Sequence, residues 1–321
     1  MELDAAHASA WLSARGIPVS GLRCEELGGG VSNRVILAES SEFRCVLKQS
    51  LGRLRVEREW LSDRSRIFRE AAAMRWLACR VRGGRVPALL YEDTGTFAIA
   101  MEAAPPGAVM WKTQLLSGEA SADHARAAGT LLGSIIAASW NHPEARELFG
   151  DQTVFDQLRI DPYYRFTASQ HPSHRGYFET LMERSAARRV SLVHGDWSPK
   201  NLLIAGSEMW AIDWEVVHYG DPSFDVAFLL NHLLLKSIVR AGLYARPLAE
   251  EFLAALAAEL PTDARWIEAA ALVHLPALLL ARVDGKSPVE YLDETGRVRA
   301  RELALSLMAQ PAASIQEVFA R

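Results

Sequence analysis

One segment past the middle of the chain mixes polar side chains with short apolar runs, and it limits the possible folds more than any other. Residues 192–215 read LVHGDWSPKNLLIAGSEMWAIDWE, in which Asp196, Asn201 and Asp213 interrupt runs typical of buried strands. The tetrapeptide Ala205-Gly-Ser-Glu208 has the composition of a turn, and the runs on both sides of it have the composition of strands. We therefore predict a β-hairpin with polar groups at its outer ends.

The position of the hairpin turn predicts which polar residues meet. If the turn is centred near Ser207, Asn201 and Asp213 lie directly opposite each other, with β-carbons about 5 Å apart. An amide oxygen and a carboxylate at that separation can share Mg²⁺, which commonly completes its shell with water and phosphate oxygens. Asp196 could face the same site without binding the metal. Each residue alone could equally serve local structure, as a turn cap, a backbone partner or half of an ion pair.

The order of these residues is also that of a known group of enzymes. The run His194-Gly-Asp-Trp-Ser-Pro-Lys-Asn201, followed by Ile212-Asp-Trp-Glu215 and Gly220-Asp-Pro-Ser-Phe-Asp225, resembles the aminoglycoside phosphotransferase and choline kinase superfamily. These are small-molecule kinases with the protein-kinase-like fold. The resemblance implies ATP as co-substrate, Mg²⁺ as cofactor and a small molecule with a hydroxyl group as acceptor.

The same resemblance implies a role for each polar residue. Asp196 would be the catalytic base that acts on the acceptor hydroxyl, and Asn201 and Asp213 would bind the metal. Asp225 would support the catalytic loop from the start of a helix, where a carboxylate is favoured by the exposed amides.

A lysine and a glutamate in the first hundred residues form a second candidate pair. Lys48 lies near the end of a predicted strand, where the resemblance places the lysine that contacts the α- and β-phosphates of the nucleotide. Glu70 lies on the apolar stripe of a helix predicted at 65–81, and a carboxylate there is costly unless it is paired. We predict that Glu70 pairs with Lys48, with Glu57 and Glu59 as alternatives.

The remaining predicted nucleotide contacts come from backbone groups. The run Gly28-Gly-Gly-Val-Ser-Asn33 precedes a predicted strand and would let amides, helped by a serine hydroxyl, approach the phosphates. Adenine would lie against the hinge near Met101. The full predicted set is Gly29, Gly30, Ser32, Lys48, Glu70, Met101, Glu102 and Ala103. The chain lacks the GxxxxGK[ST] run of P-loop proteins and a GxGxxG run after a strand.

The pattern of apolar residues predicts an α+β chain, and the resemblance implies a protein-kinase-like two-lobe fold. A strand-rich N-terminal nucleotide-binding lobe would span residues 1–102, a hinge 103–107 and a helical C-terminal lobe 108–321. The hinge reads AAPPG, and two prolines and a glycine break regular structure. Arginines between Arg53 and Arg69 alternate with acidic residues, which is typical of a solvated surface. Further helices are predicted at 122–140, 174–189, 222–240, 247–260, 263–283 and 300–310.

Composition excludes several classes of protein. The chain has 35 basic and 39 acidic residues, a net charge of −4 that favours neither a nucleic-acid partner nor a membrane surface. Its apolar runs at 224–239 and 269–280 contain polar residues and are predicted to be buried helices. The spacing of Cys24, Cys45 and Cys79 fits neither a disulfide framework nor a metal knuckle, so we expect a cytoplasmic protein. We expect the protein to be a monomer or a homodimer.

The class of acceptor is open at this level. Only 11 residues separate Asp213 from Asp225, which leaves no room for the activation segment of a protein kinase. Residues 231–321 hold 11 acidic and 10 basic side chains, a poor match to polycationic aminoglycosides. A sugar or an amino alcohol fits equally well. A methylthioribose-like compound does too, because Lys48-Gln49 followed by Leu54-Arg-Val56 is similar to 5-methylthioribose kinases. The alternative is a catalytically inactive nucleotide-binding scaffold of the same fold.

Overall fold

A five-stranded antiparallel sheet forms the N-terminal part of the chain in the computed structural model, which describes residues 2–28, 33–52, 63–239 and 245–321. Its spatial order is β1-β2-β3-β5-β4. The strands are β1 (Arg23–Glu26), β2 (Asn33–Glu39), β3 (Arg44–Ser50), β4 (Leu89–Asp93) and β5 (Ala98–Glu102). The central β3 pairs with β2 and β5 on its two sides, which buries the strand that carries Lys48.

Alternate residues of the sheet face two different helices, because side chains alternate along a strand. Ile99 and Met101 of β5 pack with helix α2 (Arg66–Leu77), and Ala98 and Ala100 belong to the separate cluster around helix α1 (Ala5–Ser13). Helix α1 starts at Asp4, whose carboxylate accepts from the His7 N–H at 2.9 Å, as an N-cap does.

Helices dominate the rest of the chain. In chain order they are α3 (Trp111–Ser117), α4 (Ala122–Ser139), α5 (Pro143–Phe149), α6 (Thr153–Phe155), a π-helix (Asp156–Arg165), α7 (Phe166–Gln170), α8 (Arg175–Ala187), α9 (Ser223–Val239), α10 (Ala245–Glu259), α11 (Trp266–Asp284), α12 (Glu294–Ala309) and α13 (Ile315–Ala320). The six helices predicted between 122 and 310 are all present, with ends shifted by a few residues. The short helices were not predicted, because their apolar patterns span too few turns.

Two small sheets interrupt the helices and hold the polar segment in place. Strands β6 (Val109–Met110), β8 (Leu202–Ala205) and β9 (Glu208–Ala211) form one of them in the order β6-β8-β9. Strands β7 (Ser191–Val193) and β10 (His218–Gly220) form the other. The predicted hairpin is therefore present, flanked by β7 before it and β10 after it.

Helices α9 and α11 form the centre of the large core. Every residue of α9 from Ser223 to Ser237 is buried. The stretch Thr262–Asp284 is long and apolar enough to cross a membrane by length and composition, but 67% of its most apolar window is buried inside the protein. Both apolar runs are thus core helices, as predicted. Cys24, Cys45 and Cys79 are free thiols.

Candidate active site

The loop that follows β7 is held by a buried carboxylate. Asp225, in the first turn of α9, is fully buried and accepts from the backbone N–H groups of His194 at 2.6 Å and Gly195 at 2.9 Å. Burial raises the pKa of Asp225 to about 7, although the two N–H groups oppose the shift. Gly195 has φ +78°, and an added Cβ would lie 2.8 Å from a Val216 methyl, so the loop requires glycine there. These contacts give Asp225 the supporting position that the resemblance implied.

The side chain of His194 closes the same loop from within. Its Nε2 lies 3.0 Å from the Ile212 carbonyl, and its Nδ1 accepts from the Asp196 N–H at 3.2 Å. Because the first partner is an acceptor and the second a donor, the ring carries its proton on Nε2. Burial lowers the pKa of His194 to about 4, so the ring is neutral at pH 7.

Asp196 points one carboxylate oxygen at two cations. Its Oδ2 lies 2.9 Å from Arg159 Nη2 and 2.9 Å from Lys200 Nζ. Burial opposes the charge, but Lys200 and Arg159 outweigh it and hold the pKa of Asp196 below its usual value. The other oxygen, Oδ1, has no hydrogen-bond partner in the described part of the chain. An ionised carboxylate with one free oxygen can accept a proton from a bound hydroxyl group.

Arg159 is a site residue that the sequence analysis missed. It lies on the π-helix, where it also donates from Nε to the Gly195 carbonyl at 2.5 Å. Pro162 inside this helix lacks an N–H, and the wider turn accommodates it. The proline was a signal for irregular structure, but nothing near it in the sequence indicates contact with Asp196. Lys200 was also assigned no role in the sequence analysis.

The hairpin register differs by one residue from the prediction. Leu202 pairs with Ala211, which centres the turn between Gly206 and Ser207. Asn201 therefore lies opposite Ile212, whose N–H donates to the Asn201 carbonyl at 3.0 Å. The prediction that Asn201 and Asp213 are directly opposite is wrong, because a turn with one residue fewer shifts the whole pairing.

Asp213 nevertheless reaches the site, because the backbone turns sharply there. Its φ is +69°, a left-handed conformation that aspartate tolerates better than most residues. Its Oδ1 lies 2.6 Å from Lys48 Nζ. The Asn201 amide nitrogen donates to the Asp196 carbonyl at 3.0 Å, which fixes the direction of its side chain. Asn201 and Asp213 thus flank the loop after β7 without facing each other across the hairpin.

Lys48 joins the sheet to this loop. Its Nζ lies 2.6 Å from Glu70 Oε2, so the structure contains the predicted pair, and 2.6 Å from Asp213. Burial alone would lower the pKa of Lys48, but Asp213 and Glu70 outweigh it and hold the pKa well above its usual value. Burial raises the pKa of Glu70, against the charge of Lys48. The alternatives Glu57 and Glu59 lie outside the described residues.

Comparison with known proteins places this geometry in a family. A family model described as the phosphotransferase enzyme family matches residues 23–237, more than half of the chain. The chain belongs to this family. The resemblance to aminoglycoside phosphotransferases and choline kinases is therefore confirmed. No curated protein matches this phosphotransferase.

Solved structures of small-molecule kinases share the fold of this phosphotransferase at low identity. A choline kinase from Cryptosporidium parvum Iowa II is 13% identical, with a TM-score of 0.58 over 99% of this chain and 100% of that chain. The macrolide 2'-phosphotransferase MphH from Brachybacterium faecium is 20% identical, with a TM-score of 0.52 over 96% of this chain and 99% of that chain. The ADP-bound aminoglycoside phosphotransferase APH(2'')-Ib is 17% identical, with a TM-score of 0.55 over 95% of this chain and 99% of that chain. The predicted protein-kinase-like α+β fold is confirmed.

A buried ion pair next to the site shows that the predicted solvated surface between Arg53 and Arg69 is wrong for Arg66. Arg66 is fully buried in the phosphotransferase, not part of a solvated surface, and its Nε lies 3.1 Å from Glu215 Oε2. Asn33 also donates to that oxygen, at 2.7 Å. The sequence did carry a signal, because Arg66 precedes Glu70 by four residues and thus shares its buried helix face.

Only some of the residues predicted to contact adenine and the phosphates are among those that the structure describes. Met101 and Glu102 end β5, and Ala103 follows them. The Glu102 N–H already donates to the Ala88 carbonyl at 2.8 Å, so it is not available to a nucleotide. Gly29, Gly30 and Ser32 lie outside the described residues.

Two side-chain oxygens near Asp213 are suitable ligands for a hard divalent cation. Asp213 Oδ2 and Asn201 Oδ1 have no hydrogen-bond partners in the parts of the chain described, and Asp213 is 28% exposed. Within those same parts no group of three or more His, Cys, Asp or Glu side chains could hold a metal ion. An ion with only these two protein oxygens would need water or phosphate as further ligands, which is the usual coordination of Mg²⁺.

Proposed function

We propose that this phosphotransferase moves the γ-phosphoryl group of ATP to a hydroxyl group of a small molecule, with Mg²⁺ as cofactor. The observation that carries the proposal is the carboxylate of Asp196, which is buried and ionised. Its Oδ2 is paired with two cations, and Oδ1 is the oxygen that can accept the proton. Lys48, held by Glu70 and Asp213, gives the same site a fixed cation for phosphate groups.

The reaction breaks a phosphoanhydride bond of ATP and forms a phosphoester bond to the acceptor. The bond between the γ-phosphorus and the ADP oxygen breaks, a bond to the acceptor oxygen forms, and the hydroxyl proton passes to Asp196. Arg159 and Lys200 hold that carboxylate in place, so the acceptor oxygen can be positioned in line with the leaving group.

The other side chains bind the nucleotide and the metal. Asn201 and Asp213 would hold Mg²⁺, which when bound neutralises phosphate charge. Lys48 would contact the α- and β-phosphates, and the adenine would lie against the hinge at 103–107, between lobes 1–102 and 108–321. The remaining proposed nucleotide contacts are Gly29, Gly30, Ser32, Met101, Ala103 and Glu102, the last through an atom other than its paired N–H.

The test is ADP release with Mg-ATP and a panel of small alcohols, sugars, amino alcohols and aminoglycosides. Asp196→Asn should lower kcat at least about 100-fold while nucleotide binding is kept. Asp123→Asn, at an exposed carboxylate, is the matched control and should leave turnover unchanged. Full turnover by Asp196→Asn would contradict the assignment of the base. Nucleotide binding without turnover of any acceptor would favour the inactive scaffold.

A further inference from the structure

A group of cations lies beside the catalytic loop on the side of the helical lobe. We define the basic cluster as Lys112, Lys200, Lys236 and Arg282. The sequence contains only five lysines among its 35 basic residues, and three of them belong to this cluster. All four cations act on His232, whose ring is kept neutral by burial and by their charge, since both lower its pKa.

Lys236 is buried without a counter-ion. It is 1% exposed on α9, and its Nζ has as neighbours the His232 carbonyl at 3.4 Å and the Tyr291 hydroxyl at 3.5 Å. No carboxylate in the described ranges lies within 4 Å of this nitrogen. An unpaired buried ammonium destabilises the folded protein, so its presence here needs a reason. Burial, Lys112 and Arg282 lower the pKa of Lys236 to about 7.

Arg282 of α11 is a second cation that has no carboxylate partner among the residues that the structure describes. It donates from Nη1 to the Tyr163 hydroxyl at 3.1 Å and to the Ser287 hydroxyl at 3.0 Å. Its Nε is buried and has no hydrogen-bond partner among the residues described. Within the described residues, the hydrogen-bond partners of these two neighbouring cations are neutral oxygens, and the charge of Glu290 acts on both only from a longer distance.

The cluster is continuous with the catalytic loop. Lys200 contacts Asp196 directly, and the Lys112 N–H donates to the Pro199 carbonyl at 2.8 Å. Lys112 also lies 5.7 Å from the centre of the Tyr291 ring, which Lys236 approaches to 5.0 Å.

The Lys236 side chain points back along α9 toward the loop that carries Asp196, because its Nζ lies 3.4 Å from the carbonyl of His232, one turn earlier. Arg159, which binds Asp196, lies 6.0 Å from the Phe228 ring on α9. Lys236 follows Phe228 by eight residues, which places it about 12 Å further along the helix axis. In the described ranges, the one carboxylate outside the catalytic loop that pairs with the cluster is Glu290, which is 68% exposed and contacts Lys112.

We propose that the acceptor is an anionic small molecule, a hydroxy acid or a phosphorylated alcohol, whose carboxylate or phosphate binds Lys236 and Arg282 while its hydroxyl faces Asp196. This inference rests on the proposed function and names its acceptor class. A desolvated ammonium and a guanidinium bind such an anion with strong, charge-assisted hydrogen bonds. The same charges repel an amine, which excludes polycationic aminoglycosides and choline-like alcohols from this position.

The first experiment compares acceptors that share a hydroxyl group and differ in charge. Gluconate, sorbitol and glucamine form one set, and ribose 5-phosphate, ribose and glucosamine form another. We expect kcat/KM at least about tenfold higher for the anion than for its neutral or cationic counterpart. The set with the higher value tells a carboxylate from a phosphate. An equal or higher value for the neutral or cationic members of both sets would overturn the inference.

The second experiment removes the charge of Lys236. Lys236→Met should raise KM for the anionic acceptor at least about tenfold, with kcat little changed and with thermal stability unchanged or higher. Lys286→Met, on an exposed lysine that pairs with Asp161, is the matched control and should leave KM unchanged. If Lys236→Met does not fold, Arg282→Gln is measured instead and should raise KM for the anionic acceptor by a similar factor. An unchanged KM in the folded variant contradicts the inference.

Calorimetric titration of gluconate and ribose 5-phosphate without nucleotide separates the two proposals. Binding of either anion to the unmodified protein, lost in Lys236→Met, without ADP formation from any acceptor, would support the anion site and contradict the proposed function. Turnover of neutral acceptors that Lys236→Met does not change would support the function and contradict the anion site. Absence of binding and turnover for both anions would contradict the anion site.

Discussion

Arg66, in the first turn of α2, donates from Nε to the carboxylate of Glu215 at 3.1 Å, although 149 positions separate the two residues in the sequence. Both side chains are buried, and Glu215 follows Asp213 by two residues. The ion pair thus ties the helix that carries Glu70 to the segment that carries the proposed metal ligand. Any movement of α2 relative to that segment would have to break this ion pair.

Breaking this pair should destabilise the protein more than breaking an exposed pair. Arg66→Met leaves the Glu215 charge buried, so we expect a loss of about 3–5 kcal/mol in the free energy of unfolding by urea. Arg66→Met with Glu215→Gln should recover part of that loss. Arg75→Met, which breaks a half-exposed pair with Glu92, should cost at most about 1 kcal/mol. A loss no larger than that in Arg66→Met would show that the buried pair is dispensable.

Removal of Lys48 should separate its structural role from its role in activity. Lys48→Met leaves Glu70 and Asp213 facing each other, so Glu70 should take up a proton and the stability should fall as pH rises. The double variant Lys48→Met with Glu70→Gln should regain stability but not ADP release, which we expect to drop at least about 100-fold in both. Recovery of activity in the double variant would contradict phosphate binding by Lys48.

Asn201 should control the affinity for the metal. Asn201→Ala removes one of two protein oxygens, so the Mg²⁺ concentration for half-maximal ADP release should rise about 10- to 100-fold. Gln170→Ala, at an exposed amide, is the control and should leave that concentration unchanged. Removal of Mg²⁺ with EDTA should stop ADP release and leave the far-ultraviolet circular dichroism unchanged, because Lys48 and Asp213 are paired without the metal. An unchanged Mg²⁺ requirement in Asn201→Ala would exclude it as a ligand.

The buried ring of His194 predicts how stability depends on pH. Its pKa is about 4 in the folded protein against a usual value of 6.5, so the unfolded chain binds more protons between these pH values. Stability should therefore rise from pH 4 to pH 6.5, with a contribution from this ring of about 3 kcal/mol. His194→Gln keeps a donor and an acceptor but cannot titrate, so urea unfolding across this range should give a flatter curve. His218, whose pKa burial lowers to about 3, keeps part of the slope, and an identical slope in the variant would contradict the prediction.

Much of the site could be predicted because its side chains break strong local patterns. Glu70 stands out on an apolar helix face, and Asp196, Asn201 and Asp213 stand out among apolar strand residues. A polar group at such a position needs a partner or a function, which is why the sequence predicted the Lys48–Glu70 pair.

Contacts between distant segments could not be predicted in the same way. Arg159 binds Asp196 from an irregular helix, and the conformation of Asp213 depends on φ +69° at one residue. The register error at Asn201 has a similar origin, because a turn of one residue fewer is equally compatible with the sequence around Gly206. Lys236 was hidden inside an apolar helix whose burial the sequence did predict, but a lysine there gives no sign of which residues surround it.

The contact between Arg159 and Asp196 depends on the number of residues in the π-helix. A π-turn holds one residue more than an α-turn, so deletion of a single residue between 156 and 158 would return the segment to α-helical winding. Each residue of an α-helix turns the chain by about 100°, and such a deletion would rotate Arg159 away from Asp196. The alignment of the carboxylate proposed as the base thus depends on the number of residues in this helix as well as on their identity. A length variant would change that alignment without replacing any side chain at the site.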